Sequence, residues 1–271
     1  MSEKKNKCNV EKLLELLMPS VLDLIGKQRI SWNAINSGLE KHLLKIREDI
    51  DLSDTGEILK DTTFYSFLIG SINGNSKTEP MFDFFNKTFN ELKERLSKDE
   101  VVHLHKMIKT VLTNFDYKYI NFIGELATLN AYKSTEDYTL LNIEEIIYND
   151  ERNTRADLLL KRNNDNVLFL VEIVNVHLEN RKLNNKDLIT KFVDGKIKEK
   201  LKKTFFENPK YELYLQVVIW IDNIKQVEIL SEIFNKRKKK NIFIPMCYLT
   251  YVDKYGEFEH RFEYVNTILI D

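Results

Sequence analysis

Val167-Leu168-Phe169-Leu170-Val171-Glu172-Ile173-Val174-Asn175-Val176-His177-Leu178 is a hydrophobic run broken in its middle by one carboxylate. It reads as a strand buried in a sheet, and an acid there needs a salt bridge to a lysine on a packed helix, a metal ion or a raised pKa. Just upstream, Arg155-Ala156-Asp157-Leu158-Leu159-Leu160 repeats the oddity, with Asp157 at the entrance of an apolar run. The polar stretch Lys161-Arg162-Asn163-Asn164-Asp165-Asn166 between them reads as a turn, so the two runs predict a β-hairpin. Antiparallel pairing about that turn sets Asp157 and Glu172 roughly opposite one another. Two carboxylates so placed repel unless a cation lies between them. Asp157 also has a plainer reading, as a cap at the strand entrance or a partner for Arg155.

Working outward, Tyr119-Ile120-Asn121-Phe122-Ile123-Gly124-Glu125-Leu126-Ala127-Thr128-Leu129 has apolar residues on nearly every side of a helix, and Glu125 is its only acid. A helix Glu, a strand Asp and a Glu on the next strand together resemble the PD-(D/E)XK, or restriction-endonuclease-like, nuclease superfamily. The resemblance spans residues 119 to 220, taking in a following helix over 187–206 and a further apolar strand over 211–221. It implies an α/β fold, a mixed sheet flanked by helices, and metal-dependent hydrolysis of phosphodiester bonds in DNA or RNA. It further implies Mg²⁺ or Mn²⁺ held by Asp157 and Glu172, with Glu125 completing the shell directly or through water.

Two positions depart from the family's pattern. Ala156 stands in the place of a Pro that members often lack. Val174 stands in the place of the Lys two residues after the Glu and on the same strand face. In the family that Lys helps to position the attacking water and to stabilise the phosphoryl charge, and some members supply it from the next helix. On that helix Leu188, Ile189, Phe192, Val193 and Ile197 define an apolar side within which Lys196 falls. Lys196 is therefore the expected catalytic lysine, ahead of the alternatives Lys200, one turn further along the same side, and Lys191, which points away. Val174 equally supports an alternative, a catalytically inactive module of the same fold that binds nucleic acid or a protein partner.

A chain of 271 residues allows one large or two modest domains and can bury a real core. No apolar run approaches the roughly 20 residues of a membrane span, and Met1-Ser2-Glu3-Lys4-Lys5-Asn6-Lys7 leads into no signal-peptide core. The expectation is a cytoplasmic protein without a membrane partner. Cys8 and Cys247 are too few for a disulfide framework, and the five histidines show no zinc-ligand spacing. His177 lies on the strand face opposite Glu172 and reads as structural.

The net charge of −1 argues against a generic nucleic-acid coating protein. Between residues 181 and 210, however, ten basic residues face four acids, and Lys236-Arg237-Lys238-Lys239-Lys240 forms a second basic run. Such patches hold phosphates; a solvated helix end favoured by the helix dipole explains the second run equally well.

Residues 1–115 read as an all-helical region and 116–271 as the nuclease-like α/β domain. Helical spacing runs from Val10 to Ile25, where Pro19 kinks or divides it, then onward from a Ser31-Trp32-Asn33 start. It returns over 57–69, 81–96 and 99–115. Gly70 to Pro80 reads as a loop without phosphate-cradling spacing, and the Phe82, Phe84, Phe85 and Phe89 rings read as core. The helical region offers a candidate homodimer or partner surface. In the second region Tyr138 to Ile143 predicts the first strand, with Glu144 and Glu145 extending it or opening a turn. That adjacent pair ranks below Glu125 as a source of site carboxylates. A central strand over 211–221, a helix over 227–237 and strands over 242–251 and 258–269 complete the pattern.

Overall fold

The computed structural model describes residues 9–26, 30–53, 62–146, 155–178, 185–204, 211–221, 223–238 and 245–268. Cys8, the expected helix start at 57–61, and the basic residues Arg181, Lys182, Lys210, Lys239 and Lys240 lie outside the described residues. The chain divides into two compact units, Met1–Glu94 with Leu104–Ile123, and Arg95–His103 with Gly124–Asp271. Among the described residues no helix is long and apolar enough to cross a membrane.

The first unit is helical. Pro19 has no backbone N–H and fits only a first helical turn, so the Val10 to Ile25 pattern becomes two helices, α1 (Val10–Leu17) and α2 (Pro19–Ile25). Ser31 opens α3 (Trp32–Asp51) through its carbonyl, which accepts from the N–H groups of Ala34 and Ile35. The loop expected over 70–80 is present but shorter, spanning 73–78, because α4 (Phe64–Ile72) runs past Gly70 and α5 (Glu79–Arg95) begins before Pro80. Gly70 permits this: a Cβ there would lie 2.2 Å from the Thr78 hydroxyl oxygen. The Phe85 ring packs against Phe64, Phe67 and Tyr119, with centroids 5.8, 5.3 and 6.2 Å away, which is core packing. Helices α6 (Lys98–Thr113) and α7 (Tyr119–Lys133) follow, each with residues in both units.

The second unit is built on one six-stranded mixed sheet in the order β1 to β6. Its strands are β1 (Tyr138–Ile146), β2 (Arg155–Arg162), β3 (Leu168–His177), β4 (Glu212–Ile221), β5 (Met246–Val252) and β6 (Phe258–Tyr264). The expected hairpin is β2–β3: the Arg162 N–H donates to the Val167 carbonyl and Asn166 takes a φ of 59° in the turn. Strands β3, β4 and β5 are parallel, joined by crossover helices α8 (Lys186–Thr204) and α9 (Ile224–Lys238). Parallel neighbours on both sides explain why β4 is apolar on both faces. The strand expected over 258–269 ends at Tyr264, where the chain turns into a short helix, α10 (Val265–Ile268).

One sheet face packs against α8 and α9, burying Val174, Val176, Val217 and Ile219 with Ile189, Val193, Val227 and Leu230. At the sheet edges, β1 carries a bulge between Leu140 and Asn142, and β6 places Glu259, Arg261 and Glu263 at alternate positions. Strand β1 is tied down by a buried ion pair. Glu100 Oε1 accepts from Lys133 Nζ and from the Leu140 N–H, each at 2.8 Å, and Oε2 accepts from the Ser97 N–H at 2.8 Å. The Ser97 hydroxyl oxygen in turn accepts from the Glu100 N–H at 3.3 Å, completing a capping box at the start of α6.

Candidate functional site

The hairpin register pairs Leu158 with Val171, which puts Asp157 and Glu172 each one step beyond that pair and on one sheet face. Asp157 is partly buried, and its Oδ2 accepts from the Ile173 N–H at 2.6 Å and from Lys200 Nζ at 2.8 Å. The same Lys200 ammonium stands 2.7 Å from Glu172 Oε2. Glu172 itself has 0% exposure and its Oε1 has no hydrogen-bond partner. A buried polar atom left without a donor is rare enough to need a reason.

Electrostatics follow from that crowding. Burial, then the nearby Asp157 charge, pushes the Glu172 carboxyl up to about 8, against the pull of Lys200. Burial works against the Lys200 charge, but Asp157 and Glu172 outweigh it and hold the ammonium protonated above its ordinary range. Glu125, partly exposed on α7, joins this set: burial first, then the charges of Asp157, Glu144 and Glu172, lift its carboxyl well above the usual range while Lys200 opposes them.

Lys200, not Lys196, is the lysine on the carboxylates. At 100° per residue, Lys200 projects about 20° from Val193, at the centre of the buried helix face, whereas Lys196 projects about 60° away. Val193 is 1% exposed and packs against the strand face that carries Val174 and Glu172, so the same face delivers Lys200. The Lys196 side chain is 45% exposed, 4.0 Å from Glu199, with its ammonium 5.9 Å from the Phe192 ring centre. Leu188, placed on the apolar side by its spacing, is exposed.

Glu144, which the sequence ranks below Glu125, lies beside Asp157. Between the Ile143–Leu158 and Glu145–Ala156 pairs it lies opposite Asp157, so β1, β2 and β3 each bring an acid to one row. It extends β1 rather than opening a turn, but does so at a φ of 54°, and its carboxylate takes Arg155 at 3.1 Å. Neighbouring Glu145 instead accepts from the Asn142 amide at 2.6 Å. Among the described residues no three His, Cys, Asp or Glu side chains converge in metal-holding geometry.

The residue before Glu125 is a glycine that lets α7 approach the sheet closely. A Cβ on Gly124 would lie 2.2 Å from Asn175 Oδ1 and 3.2 Å from the Trp220 ring. Asn175 Oδ1 accepts the Trp220 Nε1–H at 3.0 Å, and His177 stacks on Trp220, so this junction occupies the face opposite Glu172. Gly124→Ala is expected to lower stability by about 1–3 kcal/mol through overpacking. Adding Asn175→Ala should recover part of that loss in urea melts; no recovery would exclude the clash as the cause.

The chain matches no protein-family model, no curated protein and no solved structure. What defines the site is its own geometry: a six-stranded mixed sheet bearing a row of carboxylates with one lysine set on two of them.

Proposed function

We propose that this chain is a metal-dependent nuclease that hydrolyses phosphodiester bonds of DNA or RNA. The observation that carries the reading is Glu172, a fully buried carboxylate whose Oε1 lacks a donor, beside Asp157 and under Lys200. Carboxylate oxygens are the donors that Mg²⁺ and Mn²⁺ prefer. Asp157 and Glu172 would hold the ion, with Glu125 completing its shell directly or through water. A bound ion supplies a water of lowered pKa and polarises the phosphate. Lys200 takes the part that Val174 cannot, keeping the two acids together in the free protein and offsetting charge on a phosphate brought to them.

Two observations favour the second reading, an inactive module that binds nucleic acid or a protein partner. Val174 is an integral part of the apolar core, and Lys200 is already paired with both carboxylates. Calorimetric titration of Mn²⁺ into the wild type and Asp157→Ala, with and without a short oligonucleotide, separates the two. The nuclease reading expects binding that the variant loses. Silence in every arm would make the carboxylates and Lys200 a structural cluster.

A further inference from the structure

A row of acids repels the polyanion it is proposed to cut, so the strand needs cations at the mouth of the site. Lys200 is already engaged by Asp157 and Glu172. Arg155 is differently placed. It lies two residues before Asp157 on β2 and hence on the same sheet face. Its side chain is 43% exposed and meets that of Glu144, 38% exposed, at 3.1 Å. Exposed ion pairs of this kind are worth little, because water competes for both partners. A phosphate offers the same guanidinium two charge-assisted bonds in a matching fork.

Glu144 carries a second sign of function. A non-glycine residue at a φ of 54° is held in a sparsely populated conformation, and here it sets a carboxylate across from Asp157 and against Arg155. Exchange of Glu144 for a phosphate keeps one anion on the Arg155 guanidinium, while the released carboxylate stays nearby and opposes the strand.

We propose that Arg155 is a backbone-phosphate clamp of the site, occupied by Glu144 in the free protein and by a phosphate of the nucleic-acid strand in the complex. This rests on the nuclease reading for its substrate class, and its contact is to the phosphodiester backbone that DNA and RNA share.

The test is fluorescence anisotropy of a labelled single-stranded DNA, the same sequence as RNA, and the DNA duplex, in Ca²⁺ and over a range of salt. Arg155→Ala is expected to weaken binding about tenfold or more, as loss of a charged hydrogen bond does. It should do so equally for unrelated sequences and flatten the salt dependence by about one phosphate contact. Arg155→Lys should restore the salt slope but not the full affinity. Glu144→Gln, which frees the guanidinium, should tighten binding. Affinity and salt slope unchanged in Arg155→Ala, with wild-type protein that binds, overturn the clamp and leave the nuclease reading standing. Arg155-dependent binding without divalent-dependent cleavage supports the clamp and overturns the nuclease. A wild type that binds none of the three probes overturns both.

Discussion

Asp157→Ala and Glu172→Ala are each expected to abolish divalent-dependent cleavage while leaving the protein folded. Loss of a residue that merely orients a metal ligand costs about 10–100-fold, so loss of a ligand itself should exceed that range. Lys200→Ala should reduce cleavage by about 10²–10³, the scale for removing one donor to a developing negative charge. Lys196→Ala should stay within about twofold, since an exposed lysine near Glu199 has only a screened influence. Cleavage measured with a single purified preparation per variant decides the matter. Retained activity in Asp157→Ala or Glu172→Ala would remove the proposed function, and a larger loss at Lys196 than at Lys200 would reverse the assignment of the lysine.

Glu100→Ala is the substitution expected to cost most in stability. Glu100 is 5% and Lys133 8% exposed, and removing one member of a buried pair leaves the other charge uncompensated, at a cost of about 3–5 kcal/mol. The Leu140 and Ser97 N–H groups lose their acceptor as well. The midpoint of thermal unfolding should fall by roughly 6–20 °C for a unit of this size. Burial alone would raise the Glu100 carboxyl, but the bonds from Lys133, Ser97 and Leu140 together hold it below its ordinary value. The folded state therefore binds this proton less readily than the unfolded chain. Its contribution is complete above the unfolded carboxyl pKa of about 4.3 and is lost as pH falls through the depressed folded value. Glu100→Gln, which keeps an acceptor, should cost less than Glu100→Ala and flatten the acid limb of the stability curve. An acid limb identical to wild type would show that another carboxylate controls it.

The hairpin and its two acids were legible because their separation is local. Asp157 and Glu172 lie on strands joined by a short turn, so alternation and turn chemistry alone set them on one face. The central position of β4 was legible for a similar reason, since a strand with apolar residues on both faces fits a place covered on both sides. The lysine was not legible by apolar neighbours: Lys196 sits among them in sequence, yet the angle from Val193 selects Lys200. The position of Glu144 opposite Asp157 was not legible because a pair of adjacent acids normally reads as solvated, and it depends on a β1 register shifted by the bulge at Leu140 and Asn142. The loop read over 70–80 was legible at its centre, 73–78, but not at its start, because Gly70 looked like a breaker while α4 runs past it and packs it against Thr78.

The two outer strands of the sheet bear on self-association. An edge with free N–H and carbonyl groups is a template for another chain's strand, and proteins blunt such edges with bulges and charge. Among the described strands, β1 is broken by its bulge and by the left-handed turn of Glu144, while β6 alternates Glu259, Arg261 and Glu263 along its length. Growth of the sheet into a continuous intermolecular ribbon is therefore opposed at both ends, and assembly of copies, where it occurs, is directed to side-chain surfaces instead.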